Sequence, residues 1–114
     1  MIKIIRTAIS AAELKELTMQ LYGNMIKAVV DIENGIMAVG GEFHADCETV
    51  LMENGSKQKD LWGINIYPEK TGGELIEFDS MINIRPAQGN KSRGVENEEI
   101  KKGIVGIVKK LLDE

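Results

Sequence analysis

The chain has 114 residues, the usual length of one domain, and it carries a formal net charge of −4. Its composition, 43% hydrophobic and 28% charged, suits a packed core with a polar surface, and the negative net charge disfavours nucleic-acid binding by bulk attraction. The one cysteine cannot form an internal disulfide, and no apolar run reaches the length of a signal peptide or membrane span, so a single cytoplasmic domain over residues 1–114 is expected.

The N-terminal segment predicts a short strand followed by a helix. MIKIIR is β-prone, and Ser10 with Glu13 has the spacing of a capping box, in which each residue's side chain bonds a free backbone amide at the start of a helix. Three leucines then recur at helical spacing before a glycine, which is a natural stop. We therefore predict a helix over residues 11–22. Its apolar stripe consists of Leu14, Leu17 and Leu21.

The next segment predicts a β-hairpin. Apolar residues alternate with polar ones over residues 26–32, which is the period of a strand. Asn34-Gly35 follows, and this dipeptide favours a two-residue turn because both central residues of a type I′ turn need positive φ. A turn at this place pairs Val30 with Val39 across the hairpin.

Residues 43–52 fit either a helix or a strand. A second pair, Asn54-Gly55, favours the strand, because a hairpin centred on it sets Cys47 opposite Trp62 and sorts apolar from polar residues on both strands. We therefore predict a strand here, with Cys47 on the apolar side. Its polar side consists of His44, Asp46 and Glu48, and Glu42 falls in the loop before it.

The remaining sequence predicts one further strand, a polar loop and a C-terminal helix. Alternation over residues 76–85 predicts a strand that sets Glu77 beside Asn65 and Asp79 beside Gly63. After the loop PAQGNKSRG, Asn97 is the expected N-cap of the helix.

Two glycines inside the C-terminal helix, Gly103 and Gly106, are interpreted as points of close packing against the sheet. The predicted fold is α+β, an antiparallel β-meander of about five to six strands with an N-terminal and a C-terminal helix packed on one face. The other face of the sheet is expected to stay polar.

Two stretches carry a family resemblance: DLWGINIYP at residues 60–68 and FDSMINIRPAQGNKSRGV at residues 78–95. With them, the chain resembles a small bacterial and archaeal domain family of unknown function over most of its length. The resemblance implies a compact stand-alone domain and supplies no activity, substrate or catalytic residue.

The polar sheet face offers a candidate acid–base or metal site. The predicted registers place His44 in a row with Asn65, and in the next row Asp46 and Asp79 lie about 10 Å apart across a glycine. That gap suits a hydrated divalent cation or a ligand, with His44 as base or ligand. The competing interpretation is an ordinary solvated sheet face, which is the more common situation. Cys47 points away from His44, which disfavours a zinc site.

The segment Arg85–Gly94 offers a candidate anion site. No acidic residue occurs between Asp79 and Glu96, and Gly89 permits a backbone conformation in which successive N–H groups converge on an anion. The alternative is a solvated loop, with Arg85 paired to an acidic residue along its strand. The candidate ligand-binding residues are Asn65, Arg85, Gln88, Asn90, Lys91, Ser92 and Arg93.

The aromatic, cysteine and serine residues give weaker support for a specific function. Trp62 is predicted to face the core, and Tyr67 is left as the one outward aromatic for base stacking, so RNA binding is a weak alternative. Cys47 and Ser80 are predicted to face inward, which disfavours nucleophilic catalysis.

The sequence thus favours a binding domain for a small anion, a nucleotide or an acidic partner, through the polar sheet face and the Arg85–Gly94 loop. One alternative is a divalent-metal-assisted phosphoester hydrolase, with Asp46 and Asp79 on the ion, His44 as acid or base and Arg93 on the substrate. Another is a structural homodimer that buries the polar face or pairs an edge strand. The sequence identifies no cofactor and does not decide whether the protein is an enzyme.

Overall fold

A computed structural model describes residues 1–112 as one five-stranded antiparallel sheet with three helices. The α+β class and the antiparallel sheet are confirmed. The strands are β1 (Lys3–Ile5), β2 (Ile26–Asp31), β3 (Ile36–Val39), β4 (Leu61–Ile66) and β5 (Ile76–Glu77), and the helices are α1 (Ala11–Met19), α2 (His44–Glu53) and α3 (Glu98–Leu111). The strand order across the sheet is β1-β3-β2-β4-β5. Within the described range, no helix is long and apolar enough to cross a membrane.

The first and last helices share one core with one face of the sheet, as predicted. Leu14 of α1 is buried in this core, and the amide of Ile9 donates to the carbonyl of Leu111 at 2.9 Å, which ties the segment before α1 to the end of α3. Helix α1 ends at Met19, three residues earlier than predicted, and Leu21 is 49% exposed. The core includes Val30, Met37, Val39, Trp62, Ile64, Ile66, Ile104 and Val108.

The β2–β3 hairpin lies where it was predicted, but the predicted register is wrong by two residues. Val30 faces Met37 instead of Val39. The Asp31 side chain explains the difference, since its Oδ1 accepts the amides of Glu33 at 2.9 Å and Asn34 at 3.0 Å. These bonds stabilise a four-residue turn where the two-residue turn was expected.

The strand predicted over residues 43–52 is wrong, because this segment forms helix α2. Asn54-Gly55 ends the helix instead of turning a hairpin: Gly55 has φ 102°, and its amide donates to the carbonyl of Met52 at 3.1 Å. Glycine in the left-handed region is as typical of a helix end as of a hairpin. Trp62 therefore faces Val30 of β2 and not Cys47.

Helix α2 covers the sheet face that was predicted to stay polar. Cys47 and Leu51 are fully buried there against Val29, Ala38 and Leu61. The sheet is thus sandwiched between α1 and α3 on one side and α2 on the other. Because α2 separates β3 from β4 along the chain, β4 pairs with β2, and the strand order departs from a simple meander.

Strand β5 is shorter than the predicted strand over residues 76–85. The predicted pair of Asn65 with Glu77 is confirmed, but the strand ends there. A 3₁₀ turn, Met81–Asn83, then docks on Gly63, which explains why Asp79 does not pair with that residue. Ile84, predicted to face inward, is 39% exposed.

Helix α3 begins as predicted, with Asn97 Oδ1 accepting the amide of Ile100 at 3.0 Å. The interpretation of its two glycines is wrong. A Cβ built on Gly103 or Gly106 would meet no atom within 4 Å, so neither glycine marks a close approach.

Candidate functional site

A cleft of about 540 Å³ opens where the start of α2 lies over the edge of β4 and β5. We call it the α2 cleft. Its charged and polar side chains come from five separate parts of the chain, which only the folded sheet and helix bring together. They are Lys27, His44, Asn65, Glu77, Asp79, Ser80 and Arg93, and the apolar lining is Met25, Phe43, Ala45, Met81 and Ile82.

Three residues of neighbouring strands form the floor of the α2 cleft. Lys27 of β2 pairs with Asn65 of β4, which pairs with Glu77 of β5. The Asn65 side chain donates from Nδ2 to Glu77 Oε1 at 2.8 Å, and the Tyr67 hydroxyl donates to the same oxygen at 3.2 Å. Asn65 is only 5% exposed, and its Oδ1 is buried without a hydrogen-bond donor from any residue described.

His44 is the first residue of α2 and lies over this floor. Its Nε2 is 2.8 Å from the carbonyl oxygen of Ile64, so the ring donates through Nε2–H. Burial lowers the pKa of His44, and although the hydrogen bond to the Ile64 carbonyl and the nearby Asn65 side chain oppose this, the ring's pKa lies below its ordinary value. His44 is therefore neutral at pH 7.

Because His44 is the only histidine, its burial gives a specific pH dependence. The unfolded ring binds a proton near pH 6.5, whereas the folded ring has a lowered pKa. Its contribution to stability is therefore complete above about pH 6.5 and is lost as the pH falls toward the folded pKa. We expect the melting temperature to fall between about pH 7.5 and pH 5.5 in the wild type and much less in His44→Gln, which keeps a donor for Ile64. Equal pH slopes in the two proteins would contradict this.

Asp79 and Arg93 form the rim of the α2 cleft. Arg93 Nε donates to Asp79 Oδ1 at 2.6 Å, and the side chains are 55% and 43% exposed, so the pair remains in contact with solvent. The backbone fixes this rim, because the amide of Ser80 donates to the carbonyl of Arg93 at 2.9 Å.

Asp46 does not lie in the α2 cleft, and the predicted row of Asp46 and Asp79 is wrong. With residues 44–53 helical, the Asp46 carboxylate turns back and accepts the amide of Phe43 at 3.3 Å. Throughout residues 1–112, no group of three histidine, cysteine, aspartate or glutamate side chains is placed to hold a metal ion.

The Arg85–Gly94 loop contains converging amides, but a carboxylate of the same chain accepts them. The amides of Lys91 and Ser92 each donate to Glu96 Oε2 at 2.8 Å, and hydrogen bonds from Ser92 and Lys91 lower the pKa of Glu96. Asn90 is buried and holds the loop together, donating to the carbonyls of Asn83 and others. The convergence was predicted, whereas Glu96 as its acceptor was not.

Arg85 and Gln88 lie in a different depression from Asn65 and Arg93. Arg85 Nη2 donates to Glu48 Oε2 at 3.3 Å, and its guanidinium carbon lies 5.1 Å from the centre of the Trp62 indole. Gln88 Nε2 donates to the carbonyl of Lys59 at 3.1 Å. The predicted set of ligand-binding residues is therefore divided, and Arg85 pairs with α2 instead of with its own strand. Asn65 and Arg93 line the α2 cleft, Arg85 and Gln88 line the other depression, and neither is lined by Asn90, Lys91 or Ser92.

The prediction that cysteine and serine face inward is confirmed. Cys47 is fully buried, and burial raises the pKa of its thiol to about 11, which makes it a poor nucleophile. Ser80 is 1% exposed, and Trp62 is likewise in the core.

Lys27 is a lining residue that the sequence analysis missed as a site residue. Alternation already predicts that it faces away from the main core. The missing information was that β2 neighbours β4, which places Lys27 beside Asn65.

The chain was compared with family models, curated proteins and solved structures. Neither the curated proteins nor the solved structures gave a match. One family model matches residues 3–111, nearly the whole chain, which confirms the resemblance to a domain family of unknown function. The chain belongs to the family described as protein of unknown function (DUF5674).

Proposed function

We propose that the domain binds a small ligand with an anionic group in the α2 cleft. The observation that carries the proposal is Asn65 Oδ1, a buried acceptor in the cleft floor without a donor from residues 1–112. Leaving such an acceptor unsatisfied costs about 1–3 kcal/mol, which a donor group of a bound molecule recovers.

The charge of Lys27 supports an anionic group on this ligand. Lys27 is the cross-strand neighbour of Asn65, and it makes no ion pair with any described residue. Its nearest aromatic contact is Tyr22, whose ring centre lies 5.4 Å from the ammonium. An ammonium that belongs to a lining residue of a partly enclosed cleft and has no ionic partner attracts a carboxylate or phosphate.

The metal-assisted hydrolase is less well supported. It needs Asp46 and Asp79 on one ion, and the Asp46 carboxylate is engaged at the start of α2. A buried neutral His44 beside the floor is compatible with a proton-transfer role, but within residues 1–112 no group of three histidine, cysteine, aspartate or glutamate side chains is placed to hold the metal ion that such a hydrolase needs.

The proposal is tested by identifying what the native protein retains. Wild type, Lys27→Gln and the matched control Lys15→Gln are purified in parallel, and their small-molecule extracts are compared by untargeted mass spectrometry. Lys15 is exposed on α1, away from the α2 cleft. We expect an anionic compound in the wild type and in Lys15→Gln, reduced about tenfold in Lys27→Gln, since loss of one charge-assisted hydrogen bond is worth that much. Equal recovery from all three proteins contradicts the proposal.

A further inference from the structure

We propose that the ligand of the α2 cleft is dipolar, a free α-amino acid with a large apolar side chain. This inference rests on the proposed function and specifies the ligand class for that same site.

The charges of the α2 cleft balance to zero, which distinguishes it from a polyanion site. Lys27 and Arg93 contribute two positive charges, Glu77 and Asp79 contribute two negative ones, and His44 is neutral. A ligand with several negative charges would meet two carboxylates, and a ligand with only positive charges would meet two cations. A ligand with one charge of each sign has a partner for both.

The two charges without an ionic partner lie on opposite sides of Asn65. Arg93 and Asp79 neutralise each other, whereas neither Lys27 nor Glu77 forms an ion pair with any residue described. The register places Lys27 and Glu77 on the strands that flank Asn65, so their Cα atoms are about 10 Å apart. This arrangement separates an anion-binding side from a cation-binding side.

The hydrogen-bonding pattern assigns the ligand's ammonium to the Glu77 side. Asn65 Oδ1 is an acceptor that lacks a donor, and Glu77 accepts only neutral donors, from Asn65 and Tyr67. An ammonium supplies three N–H donors and can satisfy an amide oxygen and a carboxylate together. The ligand's carboxylate then faces Lys27.

Two exposed apolar residues line the opening of the α2 cleft. Phe43 is 62% exposed and Met81 is 66% exposed, and both line the same cleft as Asn65. An apolar or aromatic ligand side chain gains contact area with both, and thioether–aromatic contacts are favourable. These residues favour a large apolar side chain on the dipolar ligand.

The inference is tested by titrating the full chain with three related probes, observed through the backbone and Asn side-chain amide signals in NMR. The probes are phenylalanine, which is dipolar, N-acetylphenylalanine, which keeps only the carboxylate, and phenylalaninamide, which keeps only the ammonium. We expect phenylalanine to shift the Asn65 side-chain signals and to bind about tenfold more tightly than either blocked analogue. Glu77→Gln should abolish the advantage over N-acetylphenylalanine, while Lys15→Gln leaves it unchanged.

The possible failures of the two proposals are distinguishable. If N-acetylphenylalanine binds as tightly as phenylalanine and Lys27→Gln weakens the binding of both, the proposal of a dipolar ligand is contradicted. The proposal of an anion-binding cleft is then supported. If no probe shifts the cleft signals at millimolar concentration, the amino-acid inference is overturned, and the mass-spectrometric comparison alone decides the proposed function.

Discussion

Replacing Gly63 by alanine is expected to lower the free energy of unfolding by about 2 kcal/mol. Gly63 lies in the middle of β4, and a Cβ there would come within 2.5 Å of Ser80 Oγ, 2.6 Å of Ser80 Cβ and 3.1 Å of Ile82 Cγ1. These atoms belong to the segment around the Met81–Asn83 turn, so this segment has to move away from the sheet. Urea unfolding of wild type and Gly63→Ala measures the loss.

Two companion variants make this result specific. Gly63→Ala combined with Ser80→Gly removes both of the closest contacts, and we expect it to recover part of the lost stability despite the added glycine. Gly103→Ala makes the same substitution at an exposed helical position with open space around it, and there stability should rise by about 0.5–1 kcal/mol. If Gly63→Ala is as stable as the wild type, the turn is not packed on Gly63.

At both Asn-Gly pairs the glycine has the predicted positive φ, but Asn54 has φ −103°, and only the first pair lies in a hairpin turn. Gly35 has φ 67° in the β2–β3 turn, and Gly55 has φ 102° at the end of α2. Positive φ serves either context, so the dipeptide alone could not decide between them. The spacing of Cys47 and Leu51, four residues apart and both fully buried, was the helical signal, and the hairpin register outweighed it.

The α2 cleft was predicted in part, for a partly wrong reason. The pairing of Asn65 with Glu77 followed from strand alternation and is confirmed. His44 was expected beside Asn65 on a neighbouring strand, yet it lines the cleft from α2, above the sheet. The spacing of Cys47 and Leu51 was the local signal for the helix, but no local pattern shows that β4 pairs with β2.

The loop chemistry shows a different limit of sequence reasoning. The absence of acidic residues between Asp79 and Glu96 suggested an open anion site, but Glu96 itself folds back onto the amides of Lys91 and Ser92. A run of residues without a carboxylate says nothing about the carboxylate that follows it. The buried Asn90 side chain also holds that reversal of the chain, since its Oδ1 accepts the amide of Glu96 at 2.9 Å.

Replacing Asn83 by leucine is expected to cost about 3 kcal/mol or more of stability, because it leaves the buried amide and carbonyl of Gly63 without partners and removes one of the two donors to the carbonyl of Arg93. Asn83 is fully buried, its Oδ1 accepts the amide of Gly63 at 2.8 Å, and its Nδ2 donates to the carbonyls of Gly63 and Arg93, each at 2.9 Å. The backbone amide and carbonyl of Gly63 both point toward the edge of β4 that β5 covers only as far as Glu77. The Asn83 amide thus takes the place of a neighbouring strand.

The matched control for Asn83→Leu is Gln88→Leu, the same kind of exchange at an exposed amide with a single hydrogen bond, to Lys59. We expect it to cost less than about 1 kcal/mol. Hydrogen exchange distinguishes whether the Asn83 side chain acts as a hydrogen-bond partner of Gly63, as a strand would, or only fills space. In Asn83→Leu the Gly63 amide should lose its protection well before the amides that β4 donates to β2. Equal protection of all β4 amides would contradict that role.

Because Arg93 also depends on Asn83, the rim of the α2 cleft should loosen in the same variant, so ligand retention should fall along with Gly63 protection.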